Sequence, residues 1–460
     1  MNDERTLSRR RFFGEASCAA VGSTALFSSL LNLRMTSTAA AANLSPNDDY
    51  KALVCLFLAG GNDSFNMLVP NNNDAYAEYR RTRDNLALEQ TDLLPITSGG
   101  QPYSTFGIHP SMPEIQSLFD SNQLAFISNV GTLVRPTTKS DYNNDIALPS
   151  GLFSHSNQQV HWQTSVPQIK GSSPGGWGGR TADLLMSMNE DSQVSMNISL
   201  SGVNVFQAGN EAFAYISGLN GGTEMVAYTD PFEKFAVDSL LEQQYQNLFT
   251  RTFAKNTRRF IDSSIIFNEA IEPIEIQTTP PPTRLAARFK MVARTIAARE
   301  ALNMKRQTFF IRAGGWDHHN ELKNAQVVML AEISQAINYF NDTMAEIGMQ
   351  DKVVLFTASD FGRTLTSNKI GSDHAWGGNH IVMGGPVNGG RIFGQYPSLV
   401  LGSSLMLNRG RLIPTTSVDE YGSELARWLG VSSSDMDTVF PNIKNFYDPN
   451  LITHPLGFLS

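Results

Sequence analysis

The sequence predicts an α/β fold: a mostly parallel central sheet flanked by helices on both faces, with an inserted, mainly helical region at about residues 194–280. Three observations carry this prediction. Short continuous apolar runs, Lys51 to Leu58, Gln123 to Val130, Gln307 to Arg312 and Lys352 to Ala358, have strand length and lack the alternation of a half-exposed strand. Helix-period stripes lie between such runs, most clearly from Glu321 to Ile347. Several runs also stop at an acid beside glycine or serine, as strands do where they reach the ligand-binding edge of an open sheet.

At 460 residues and 50.5 kDa the chain can bury a sizeable core, and 41% hydrophobic against 17% charged residues is ordinary for a globular protein. Ser8-Arg9-Arg10-Arg11-Phe12-Phe13 is a twin-arginine pattern, followed by an apolar run to Leu31 and a small-residue stretch from Ala39 to Ala42. Residues 1–42 are therefore expected to be a signal peptide, with residues 43–460 forming one α/β domain. The expected location is periplasmic or otherwise exported, with the twin-arginine machinery as a partner. Cys18 has no apolar run before it, which argues against a lipid anchor. Without the leader only Cys55 remains, so no intramolecular disulfide can form. The full chain carries a net charge of −8 and the expected domain is more acidic still, so nucleic acid is excluded as a partner. No later stretch reaches the roughly 18 apolar residues of a membrane span.

Taken in order, Lys51 to Leu58 is a strand that ends at Ala59-Gly60-Gly61-Asn62-Asp63, leaving Asp63 beyond its carboxyl end. Residues 71–105 are a polar excursion. Pro113 to Asp120 and Gln123 to Val130 follow as helix and strand. A helix is expected from near Ser154 through Trp162. Gly171 to Gly179 is turn-rich, Arg180 to Met188 is helical, and 193–232 reads as β or irregular. Pro231 to Ile271 has helical spacing, Thr278 to Pro282 is the clearest linker, and a further helix spans Thr283 to Lys305. The two strands around the Glu321 to Ile347 helix are expected to be parallel neighbours.

Four of the eight histidines fall between residues 306 and 385, in Gly315-Trp316-Asp317-His318-His319 and in Asp373-His374 through His380. With Asp360 of Ser359-Asp360-Phe361-Gly362-Arg363 and Asp63, they set acids and imidazoles at one rim. That donor set suits a divalent cation, zinc foremost, with manganese or iron tolerated. Asp317 and His319 alternate to one side of an extended segment, and His374 and His380 could complete the ligand set. Ser154 at a helix start is a candidate nucleophile, activated by the metal, with a water as the other candidate. Arg363 could grip an anionic ester. For His155 and His161 a surface or capping role is expected. Singly, each of these residues could equally be a cap, a core histidine or a structural ion pair.

LAGGNDSFN at 58–66, IHPSMPEI at 108–115, the FSHS segment with WQT at 153–164, GGWDHH, SDFGRT, GSDHAWGGNHIVMGG and IPTTSVDEYGSELARWLGV at 413–431 together resemble the domain of unknown function 1501 family. That family is similar in fold to the alkaline phosphatase and sulfatase superfamily. The resemblance implies an alkaline phosphatase-like sheet, Asp63, Asp317, His319, Asp360 and His374 as metal ligands, and Ser154 as nucleophile. Two departures matter. Phe361 stands where many superfamily members have histidine, unless His380 substitutes, and the histidine after Asp317 lies two positions on. One ion rather than two is expected. The function implied is an exported metal-dependent hydrolase of phosphate or sulfate esters, acting on a small-molecule or polysaccharide anionic ester. The alternative is a non-catalytic periplasmic binding or structural protein on a degenerate scaffold.

Overall fold

The computed structural model describes residues 50–170, 175–189, 192–222, 225–228 and 230–459. The expected leader at 1–42 lies outside the described residues. Strand β1 (Lys51–Ala59) buries every side chain after Lys51, as its unbroken apolar sequence requires. Helices α1 (Asn73–Arg83) and α2 (Pro113–Asp120) precede β2 (Leu124–Gly131). Helices α3 (His155–Thr164) and α4 (Trp177–Leu185) follow, then the short strands β3 (Asn197–Ser199) and β4 (Tyr215–Ile216). Next come α5 (Pro231–Leu241), α6 (Leu248–Ile271), α7 (Arg284–Ala297), β5 (Arg306–Gly314), α8 (Leu322–Glu346) and β6 (Val353–Ser359). The chain closes with β7 (Gly378–Met383), β8 (Ile392–Phe393), β9 (Thr416–Ser417) and α9 (Val418–Leu429).

These nine strands form one sheet in the order β8-β2-β7-β6-β1-β5-β3-β4, with β9 also on β2. Every pair is parallel except the two that β7 makes, antiparallel to β2 and to β6. The mostly parallel sheet expected from the apolar runs is therefore present. Helices cover both faces. On one, α7 stacks Phe289 on Phe340 of α8. On the other, Trp177 of α4 and Tyr421 of α9 close on Phe356 of β6. A residue buried on each face is what makes strands such as β6 read as continuous rather than alternating.

One expected adjacency is corrected. β5 and β6 are parallel but not neighbours, because β1 lies between them and pairs with both. β1 and β2, joined through α2, are likewise separated by β6 and β7. The reason is that β1 has two apolar faces and two hydrogen-bonding edges to satisfy, and the centre of the sheet satisfies all four. The helical stretch expected at 231–271 is two helices, broken at 242–247, with Asn247 capping α6 through its side chain. Antiparallel β7 falls within a motif read for its histidine rather than as a strand.

The register positions the site. Ala59 pairs with Gly314 and Leu58 with Ser359, so β1, β5 and β6 end level at their carboxyl edge. Residues 60–63, 315–319 and 360–363 leave that edge side by side. Gly60 adopts φ +125°, and a Cβ there would lie 2.5 Å from the Asp317 nitrogen. Only glycine lets the segment carrying Asp317 pass so close over the end of β1.

Candidate metal centre

Asp317, just past β5, is the hub. Its Oδ1 lies 3.1 Å from His319 Nε2 and 3.2 Å from His374 Nε2, and those two nitrogens are 3.0 Å apart. Its Oδ2 lies 3.3 Å from His155 Nε2. Ligand atoms of His155, Asp317 and His374 all fall within 4.8 Å of one another. A tetrahedral ion with bonds of about 2.0–2.1 Å needs donors roughly 3.3 Å apart. The triangle of Asp317, His319 and His374 has nearly that size.

The proton inventory is more telling than the distances. His155 Nδ1 donates to Asp360 Oδ2 at 2.6 Å, His319 Nδ1 to Asp373 Oδ1 at 2.9 Å, and His374 Nδ1 to the Phe153 carbonyl at 2.8 Å. Each acceptor fixes a proton on Nδ1, which turns the Nε2 atom of each ring towards Asp317. All three Nε2 atoms converge beside Asp317. His155 Nε2 is buried without a hydrogen-bond partner among the described residues. Lone pairs facing one another at 3.0 Å repel unless a proton or a cation stands between them.

Partial burial resists ionisation of Asp317, but the Arg363 hydrogen bond at 2.6 Å, its charge and the nearby histidines hold the carboxyl below its usual range. Burial keeps His374 below the usual imidazole range, aided by the charges of His155 and Arg363, so its ring is neutral at neutral pH. Burial also resists ionisation of Asp373, but hydrogen bonds from Asn368 and His319 and the Arg409 charge hold it ionised.

The other predicted residues stand elsewhere in this network. Asp360 is wholly buried and acts through His155, accepting also from Gln159 at 2.8 Å and from the Gly60 amide at 3.0 Å. Asp63 is wholly buried in an ion pair with Arg83 at 2.7 Å and accepts from Ser372 Oγ at 3.1 Å. His380 lies in the core with its ring 4.7 Å from that of Trp162, and burial lowers its pKa to about 3. Arg363 is buried, and besides Asp317 its guanidinium donates to the Gly60 and Ser372 carbonyls. Ser154 is the N-cap residue of α3, yet its Oγ makes no capping bond and meets Ser156 Oγ at 3.1 Å. Phe361 packs its ring 4.8 Å from His155 and 4.7 Å from His374, walling the imidazoles. Gly61 makes room for it, since a Cβ there would meet the Phe361 ring at 2.6 Å.

His155 is the member that sequence reasoning left at a helix cap. Its partner Asp360 is 205 residues away, so no local spacing marks the pair. The available signal was Gln159, one turn later on the same helix face, which grips the same carboxylate.

An α/β sheet with acids and imidazoles gathered at its carboxyl edge defines a class of site-bearing scaffold. Within that class, the chain belongs to the family described as "Protein of unknown function (DUF1501)", whose profile matches residues 50–406. No curated protein matches. Among solved structures, the lipoteichoic acid synthase LtaP from Listeria monocytogenes is similar at TM-score 0.34 and 8% identity, covering 90% of this chain and 81% of that one. The C-terminal periplasmic domain of EptC from Escherichia coli, in complex with Zn, gives 0.35 and 9%, covering 84% of each. The Thermus thermophilus alkaline phosphatase gives 0.25 and 11%, covering 70% and 61%.

Proposed function

We propose that the protein is an exported, metal-dependent hydrolase of phosphate or sulfate esters with a single divalent ion, zinc foremost. Asp317, His319 and His374 would hold the ion, with His155 as the fourth donor. The observation that supports this reading is the convergence of three imidazole Nε2 atoms on one carboxylate. Three nitrogens and one oxygen suit zinc, and manganese or iron would also accept them. In this proposal Asp63, Asp360 and His380 are not ligands. Asp360 and Asp373 orient imidazoles, and Asp63 anchors the loop after β1.

Such an ion would supply Lewis acidity to an ester oxygen and lower the pKa of a hydroxyl beside it. The chain does the rest. Ser154 Oγ, half-buried and next to His155, is free of capping duty and is the protein nucleophile we favour over a water. Its attack would form a bond to phosphorus or sulfur as the alcohol oxygen leaves, and water would then regenerate the serine. Arg363 would fix Asp317, and Phe361 would keep water from the inner face of His155 and His374. The substrate expected is a small-molecule or polysaccharide anionic ester.

The test begins with elemental analysis of purified protein from metal-replete medium. About one ion per chain is expected, and no metal in wild type would sink the proposal. A screen of phosphomonoesters, phosphodiesters and sulfate esters with wild type and Ser154→Ala then assigns the nucleophile. Equal turnover by both would move that role to water. A second reading, a non-catalytic binding protein on the same scaffold, is favoured by Arg363, whose bond to Asp317 Oδ1 competes with an ion for that oxygen. Stoichiometric metal with no turnover of any ester would select it.

A further inference from the structure

Helix α5 and the first half of α6 form a hairpin that the rest of the protein hardly touches, whereas the second half of α6 packs into the core through Phe267 and Ile271. No residue of α5 is buried, and the first buried residue of α6 is Ala254, followed by Ile261. An isolated helix as short as α5 is marginal in water, and helices in proteins owe most of their stability to packing of an apolar face. Here the apolar face points outward: Phe249 is 84% exposed, Phe253 70% and Phe232 79%. Phe249, Phe253 and Phe260 recur at intervals of four and seven residues, so they form one stripe along α6. Arg251, Lys255 and Arg259, four residues apart, form a second stripe on the opposite side, and all three are exposed. No Asp or Glu occurs from residue 243 to 261, in a chain whose net charge is −8.

We propose that the α5–α6 hairpin docks the protein on an anionic phospholipid surface, with Phe249 and Phe253 entering the headgroup boundary. Aromatic residues on one face and arginine and lysine on the other are the pattern of helices that lie in a bilayer interface. A local basic stripe is also what a net acidic chain needs to approach an anionic surface. A second copy of the chain fits less well. A contact with a second copy through the phenylalanine face would leave the Arg251-Lys255-Arg259 stripe, on the other side of α6, without a partner, and no acid occurs from 243 to 261 to offset it. Beside the stripe, a cleft of about 700 Å³ reaches Phe260 and is lined by apolar side chains such as Met186 and Phe213 together with the polar Asp183 and Arg259. The proposal is independent of the metal centre.

The five tryptophans are all buried, so one placed on the hairpin reports from there alone. In full-length Phe253→Trp protein, vesicles of phosphatidylcholine mixed with phosphatidylglycerol should shift the added emission to shorter wavelength, reversibly with salt. Phosphatidylcholine alone should not. Adding Arg251→Gln and Lys255→Gln should lower partitioning roughly thirtyfold, with the urea midpoint unchanged as the check on folding. No shift with the mixed vesicles, or an equal shift with phosphatidylcholine, overturns the proposal. So does a shift that appears without vesicles as protein concentration rises and coincides with dimer sedimentation, which would assign the surface to a second copy.

Discussion

His155, His319 and His374 differ in everything but the treatment of one proton. Each gives its Nδ1 hydrogen to a different acceptor, and each is left able to donate electrons only through Nε2. If Asp360 serves to orient His155, Asp360→Asn should weaken metal binding about 10- to 100-fold, read by competition with a chromophoric chelator. His374→Ala, which removes a donor outright, should abolish stoichiometric metal. The pair Arg83 and Asp63 carries a different expectation. Both side chains are wholly buried, so Arg83→Met strands an ionised carboxylate and should cost about 3–5 kcal/mol in urea unfolding. Arg83→Met with Asp63→Leu should recover much of that loss, whereas a direct metal role for Asp63 predicts loss of metal in the double variant.

At the scale of elements, β1, β5, β6 and the helix between the last two were legible because their signals are local. An unbroken apolar run of strand length and a helix-period stripe need no knowledge of the rest of the chain. Asp317, His319 and His374 were legible for a related reason, since they follow a strand end or sit in a histidine-rich window. What local pattern cannot carry is pairing. β1 inserts between β5 and β6 from more than 240 positions away in sequence, and Asp360 reaches His155 across 205. Short strands such as β3 and β7 were hidden as well, the first by its three-residue length and the second by flanking glycines. The turn after β1 yields a prediction at this scale. Gly60→Ala adds a Cβ 2.5 Å from the Asp317 nitrogen at a positive φ, so it should destabilise by more than about 1 kcal/mol and weaken metal binding together. A fall in stability with metal affinity intact would separate the turn from the site.

For the whole molecule, buried ionisable groups set opposite limits on the pH range. Burial lowers His109 to about 4 and His380 to about 3. In the unfolded chain both take up protons near 6.5, so stability should be full above that pH and fall as pH drops towards 3. Asp419 runs the other way. Burial raises its carboxyl to about 8, so the folded state holds a proton that the unfolded state releases near 3.8. Its contribution should decline as pH rises from 3.8 and be lost above about 8. Asp419→Asn should therefore flatten the alkaline limb of a plot of urea midpoint against pH while leaving the acid limb in place. An unchanged alkaline limb would exclude Asp419 as its source.

The central position of β1 bears on how the chain is made. β1 is the first of the described strands to be synthesised, yet its two neighbours are residues 306–314 and 353–359. Until Gly314 has been synthesised, KALVCLFLA has neither edge paired as in the finished sheet, and until Ser359 it has only one. Such long-range pairing is slow and leaves an aggregation-prone segment open in the meantime. Assembly of the sheet centre must then wait for most of the chain.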